Sequence, residues 1–279
     1  MGGQTVTHPA ATRIWYQSFT DPVDDEPYFT RLGNYLQSVS RAESELQVRG
    51  IRPSDHFLHP ITEFRCAAQV IANAITAERE GYDAFVIGHF QDAGLFEARA
   101  TVEIPVIGLG EASMLNACTL GRKIGLVTIN PVFIPYLEDQ VARYGLERRV
   151  IEVRAVAAQV DRLNRAFGDE REFRLLRDEF IRQAEPMLDL GIDVIILAGG
   201  YPMLLFATEQ GFTINGAMVV NGLPVAVAAA ETAVTMRRLN GTCTSRVGTY
   251  ALPPQEAVAE FGRAFRSTAA PEAGSPRTI

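Results

Sequence analysis

The chain has 279 residues, 47% of them hydrophobic, and carries a formal net charge of −7 with a pI near 5.2. That is enough apolar material for a sizeable core in one large or two modest domains. Basic residues are scattered among the acidic ones, which leaves no electrostatic footprint for nucleic acid and excludes that class of partner.

No apolar run approaches the roughly 20 residues needed to span a bilayer, and the N-terminal 12 residues lack the basic start and apolar centre of a signal peptide. The sequence reads as that of a cytoplasmic protein without a membrane partner. In chain order, a disordered tail at 1–11 leads to a strand at 13–17, and helical periodicity then covers 28–48 and 63–80. A strand at 83–88, a helix at 95–100, a strand at 105–109 and a helix at 111–120 come next. The second half runs through a strand at 123–129, a helix at 135–144, a strand at 150–156, a helix at 173–190 and strands at 193–198 and 224–228. A helix follows Glu231, and a Ser/Thr/Ala/Pro/Gly-rich stretch at 267–279 reads as a second disordered tail.

Apolar strands alternating with amphipathic helices predict an α/β protein built on parallel sheets. Its two most apolar strands echo each other: GYDAFVIGH at 81–89 matches GIDVIILAG at 191–199 in its Gly, its Asp and its apolar run. IPVIGLGEA at 104–112 likewise echoes LPVAVAAAETA at 223–233, and RIWYQSF at Arg13 stands to the first half as KIGLVTINP at Lys123 stands to the second. Two pseudo-symmetric lobes are therefore expected, each a parallel sheet flanked by helices. Residues 12–114 with 224–266 would form the first and 115–223 the second. Open α/β sheets bind ligands beyond the carboxyl ends of their strands, which predicts an active-site cleft between the lobes.

Three widely spaced cysteines, Cys66, Cys118 and Cys243, contain no CxxC pair, and each reads as a small buried apolar residue rather than part of a disulfide or zinc framework. His56 and His59 are spaced so that they could share a metal, but they read better as loop residues or caps of the helix near Ile61. No metal is expected.

The segment DAFVIGHFQDAGLFEARATVEIPVIGLGEAS, from Asp83 to Ser113, resembles the first catalytic segment of the aspartate/glutamate racemase superfamily, most closely its hydantoin racemase branch. In that branch the strand ends in a Gly-Cys-Phe-x-Asp-Pro-Gly-Leu type motif. Gly88, Phe90, Asp92, Gly94 and Leu95 match it, as does the run from Ile104 to Ala112. KIGLVTIN at Lys123–Asn130 is similar to the strand that opens the family's second lobe, and GIDVIILAGGYPM at Gly191–Met203 to its second catalytic segment, usually Leu-Gly-Cys-Ala-Gly-Met.

The resemblance implies a cofactor-independent enzyme with one cysteine on each lobe, because a flat carbanion inverts only when the proton returns from the opposite face. Both cysteines are missing. The first position holds His89, and the second aligns with Gly199, or with Gly200 if the register moves by one. An imidazole can serve as base or acid near neutral pH. His89 therefore takes the expected catalytic role, with Asp92 to orient it and Tyr201 either a second acid or a space-filling ring.

The family's polar segment after the first strand corresponds to Gln17, Ser18 and Thr20. Phe90 and Gln91 lie beside His89, and Thr128 and Asn130 end the opposing strand. Gly199 and Gly200 permit close backbone approach to a ligand. Glu63 corresponds to a family glutamate near the pocket. Glu111 and Glu231 stand at equivalent places and read as residues that favour helix N-termini. The implied function is proton transfer next to a carbonyl of a small carboxylate, imide or hydantoin-like compound, by isomerase or lyase/decarboxylase chemistry rather than two-thiol racemisation. The alternative is a catalytically idle relative that binds a small acid as a sensor or accessory protein. Self-association as a homo-oligomer is implied by the resemblance only.

Overall fold

The computed structural model describes residues 11–55, 57 and 59–265. The tails expected at 1–11 and 267–279 fall outside it apart from residue 11, as does His56. The first sheet is formed by β1 (Thr12–Gln17), β2 (Ser44–Arg49), β3 (Ala84–Ile87) and β4 (Val106–Gly108), in the order β2-β1-β3-β4 and parallel throughout. The second contains β5 (Ile124–Thr128), β6 (Val150–Ala155), β7 (Val194–Ala198), β8 (Thr213–Ile214) and β9 (Ala217–Val220), in the order β6-β5-β7-β9-β8, with only β8 antiparallel.

The order β2-β1-β3-β4 is repeated by β6-β5-β7-β9. In each sheet the first strand of the lobe lies between the second and third, so β1 and β3 correspond to β5 and β7. Their interior runs are fully buried, as the near-continuous apolar sequences of parallel strands require. Helices cover the faces: α1 (Glu26–Val39), α2 (Pro60–Arg79), α3 (Leu95–Thr101) and α4 (Leu109–Leu120) belong to the first half of the chain. They are followed by α5 (Ile134–Arg143), α6 (Val160–Ala166), α7 (Glu170–Leu188), α8 (Gly200–Leu205), α9 (Gly222–Asn240) and α10 (Gln255–Ala264).

Three departures from the sequence reading have physical causes. The helix expected over 28–48 ends at Val39, and SELQVR forms the edge strand β2. Its side chains are mostly half-buried, so it lacks the apolar run that marks the central strands. The strand expected at 224–228 is instead the start of α9, where Asn221 accepts from the Leu223 amide and Pro224 sits in a first turn that needs no donor from it. A short apolar run fits a buried helix as well as a strand. The true counterpart of β4 is β9, which lies a few residues before the LPVAVAAAETA run.

Glu231 consequently lies in the interior of α9, not at its start. Its carboxylate accepts from the Ser44 hydroxyl (2.7 Å) and the Arg41 amide (2.8 Å) and pairs with the Arg41 guanidinium at 3.3 Å. Glu111 does stand in the first turn of α4, bonded to Arg99 of α3. Cys66 is buried and Cys118 half-buried, but Cys243 is exposed in the irregular stretch after α9, where no element covers it. α9 follows the second sheet in sequence yet packs on β1, β3, β4, α1 and α4. Leu223, Ala226, Val227, Ala230 and Val234 are its buried apolar face. No helix among the described residues is long and apolar enough to cross a membrane.

Candidate active site

The carboxyl ends of the four inner strands meet at one cleft. Ser18, Phe19 and Thr20 follow β1, and Gly88, His89, Phe90 and Gln91 follow β3. From the other sheet come Thr128 and Ile129 at the end of β5, Ala198, Gly199, Gly200 and Tyr201 at the end of β7, and Phe133. The empty space here, counted out through the open mouth into solvent, is about 670 Å³.

Gly88 sets the approach to His89. A Cβ at position 88 would stand 2.2 Å from the ring of Tyr16 and 2.8 Å from the Gln17 carbonyl, so only glycine lets the strand end pass this close to β1. His89 then stacks on Phe19, with ring centroids 4.1 Å apart and planes 15° apart, and meets the edge of Phe133 from the second lobe at 6.5 Å. Two rings fix its plane. Its Nε2 lies 3.5 Å from Glu63 Oε1, whereas Nδ1 is buried with no hydrogen-bond partner. Burial pushes the imidazole down to about 4, against the pull of the Asp55 charge. Glu63, in the first turn of α2, is pushed up to about 8 by burial first and then by the charge of Asp55, with which it shares a hydrogen bond.

Asp92 does not orient His89. It is buried at the turn into α3, where it accepts from the amides of Gly110 (3.0 Å) and Glu111 (2.7 Å), from Gln140 Nε2 (3.0 Å) and from the Tyr144 hydroxyl (2.6 Å). Its carboxylate thus satisfies the free amides at the start of α4 and holds the loop to α5. Burial raises its pKa to about 7 against the lowering pull of the Tyr144 hydroxyl and the Gly110 and Glu111 amides.

Gln17 is also turned away from the cleft. Its carboxamide oxygen accepts from the Trp15 indole and Asn73, and its nitrogen donates to the Ser18 and Arg49 carbonyls, which occupies the whole amide inside the first lobe. Asn130 caps the turn Pro131–Phe133 by accepting from the Val132 amide and does not line the cleft. Ser18 and Thr20 do line it, their hydroxyls 3.0 Å apart. Thr128 Oγ1 is buried there without a partner. Tyr201 lies flat on Tyr28 at 4.2 Å, and burial holds its phenol far above the usual range. A Cβ at Gly200 would come 3.2 Å from the Tyr28 hydroxyl, so the lobes pass close to each other here.

Asp25, Tyr28, Ser54 and Asp55 were missed by the sequence reading. The Ser54 hydroxyl donates to Asp25 at 3.2 Å and accepts from the Asp21 amide at 2.6 Å, drawing the loop after β2 into the cleft wall. The signal lies in RPSDHFLHPITEF, which sets an aspartate eight residues before Glu63 beside the histidine pair. His59, for its part, caps α2, its Nδ1 accepting from the Ile61 amide. Asp25 and Asp55 are the acidic groups of the cleft lining, and no lysine or arginine lines it among the described residues. Asp55, Glu63 and His89 each offer a ligand atom within 4.8 Å of the others, the one such group among the described residues.

A family model described as Asp/Glu/Hydantoin racemase matches residues 41–230. The hydantoin racemase of Rhizobium meliloti is 35% identical over 192 residues, 68% of this chain and 74% of that protein. That of Pseudomonas sp. (strain NS671) is 30% identical over 234 residues, 80% and 88% of the two chains. Among solved structures, the allantoin racemase from Klebsiella pneumoniae has a TM-score of 0.73 at 23% identity, covering 87% of this chain and 94% of its own. The glutamate racemase from Thermus thermophilus has 0.56 at 16% identity, covering 95% and 96%. The likeness to these structures is one of fold, two α/β lobes facing each other across a cleft.

Proposed function

Because the chain belongs to the Asp/Glu/hydantoin racemase family, we propose that it moves a proton at the carbon next to a carbonyl of a small imide or hydantoin-like ring, with His89 as the single base. The observation that carries this reading is the placement of His89: it ends β3 at the cleft, clamped between Phe19 and Phe133, with a buried Nδ1 that nothing occupies. By the sequence resemblance, the place of the second thiol falls to Gly199, or to Gly200 if the register moves by one. Neither glycine carries an acid that can return a proton to the other face, so isomerase or lyase/decarboxylase chemistry is favoured over inversion.

The tautomer follows from the neighbours. A hydrogen on Nε2 points towards Glu63 Oε1, 3.5 Å away, and leaves the lone pair on Nδ1 to accept the substrate proton. The positive charge that develops on the ring is offset by Asp55. Thr128, whose buried hydroxyl is unpartnered, is the donor for the carbonyl oxygen as negative charge builds on it.

Lining charge favours a ring over a dicarboxylate. A substrate carboxylate about 5 Å from Asp25 or Asp55 would meet a repulsion on the order of 3 kcal/mol for each pair. A ring N–H would instead donate to those carboxylates, and its flat face suits the aromatic walls. The test is deuterium uptake in D2O at the carbon next to the carbonyl of 5-substituted hydantoins, followed by NMR with optical rotation. Exchange without inversion, lost in His89→Gln, is expected. Exchange that survives His89→Gln would overturn the base, and rapid inversion would demand a second acid.

A further inference from the structure

Three side chains from three separate elements converge beside the cleft: Asp55 from the loop after β2, Glu63 from the first turn of α2 and His89 from the end of β3. One ligand-capable atom of each lies within 4.8 Å of the other two. The Nε2 to Oε1 distance of 3.5 Å is close to the edge of a tetrahedron of zinc ligands, about 3.3 Å for bonds of about 2.0 Å. Glu63 is only 7% exposed, and its Oε1 has no hydrogen-bond partner. Such an orphaned buried acceptor is costly, and here it faces the imidazole and the second carboxylate. Arg65, the neighbouring cation, is turned away: its guanidinium donates to the Pro53 carbonyl and to Gln69.

We infer that Asp55, Glu63 and His89 form a site for one zinc-like divalent cation, and that filling it silences the base. The donor set decides the class of ion. One imidazole with two carboxylates suits zinc and its first-row neighbours, whereas magnesium demands near-octahedral oxygen coordination that this set does not offer. Silencing follows from the two ring nitrogens. A cation on Nε2 takes that lone pair, so the hydrogen of the neutral ring must sit on Nδ1, the nitrogen that otherwise accepts the substrate proton. The cation therefore fixes the unproductive tautomer. This second half rests on His89 being the base; the site itself does not.

The experiment is calorimetric titration of the full chain with zinc chloride at pH 7.5, with magnesium chloride as the control. One zinc ion per chain is expected, with no magnesium heat. Glu63→Gln and Asp55→Asn should each weaken zinc at least tenfold, while circular dichroism shows the fold unchanged. His59→Asn, which keeps a capping residue on α2, should bind as the wild type does. No zinc binding overturns the site, and so does binding indifferent to both carboxylate variants, which would point to the exposed Cys243 or to His59 instead. With zinc at saturation, hydantoin exchange should fall by the fraction of chains occupied and return on chelation. Zinc binding without inhibition overturns the silencing, and zinc binding in a chain whose exchange ignores His89→Gln overturns the base while leaving the site standing.

Discussion

The hydroxyl of Tyr144, the residue that caps the C-terminal end of α5, donates to the Asp92 carboxylate at 2.6 Å, joining the helix that follows β5 to the loop that carries His89. Gln140, one turn earlier on the same helix, bonds both Asp92 and the Phe90 carbonyl. The loop after β3 is thus held by the opposite lobe as well as by its own. Tyr144→Phe removes one donor from a buried acceptor and should lower stability by about 1–3 kcal/mol, read as a lower urea midpoint at unchanged slope. A midpoint equal to that of the wild type would show that the bond adds nothing to the join.

His89→Gln keeps a polar side chain of similar reach and removes the base. Hydantoin exchange should fall by roughly 10²–10⁴-fold, the usual weight of general base catalysis. Far-ultraviolet circular dichroism should stay as in the wild type, because His89 lies in the loop after β3 rather than inside a strand or helix.

Thr128→Val separates chemistry from stability. The buried hydroxyl has no partner, so an isosteric methyl should leave the thermal midpoint equal or higher. Exchange should nonetheless drop by about 10²–10³-fold if the hydroxyl faces the developing oxyanion. A rise in KM alone, with turnover intact, would remove that role.

Glu231→Ala tests a contact that spans 187 residues of sequence. The loss leaves the Ser44 hydroxyl and the Arg41 amide without their acceptor, at a cost of about 1–3 kcal/mol, and should appear in equilibrium denaturation with the cleft chemistry per folded molecule unchanged.

The strands that carry the site were legible because parallel strands buried on both faces are written as unbroken apolar runs: FVI in β3 and VIILA in β7 leave little alternative. The edge strand β2 was not, because its half-exposed SELQVR lacks such a run. Side-chain direction was harder still. Three positions separate Asp92 from His89, which suggested a contact, but the residue at 92 adopts a left-handed backbone (φ 52°) that aims its carboxylate at the start of α4. Asp55 reaches the imidazole because its loop is drawn inward by Ser54 on Asp25 and by its own amide on the Phe19 carbonyl, a long-range cause that local pattern does not record.

The position of α9 bears on how the molecule comes into being. The helix that covers β1, β3 and β4 is made only after the whole second sheet. As the chain leaves the ribosome, the first sheet is complete by Gly108 but keeps an apolar face bare until residues up to about 240 have emerged. The half that holds His89 therefore waits for its opposite half, and a fragment ending near Gly121 would present that uncovered face to any neighbour.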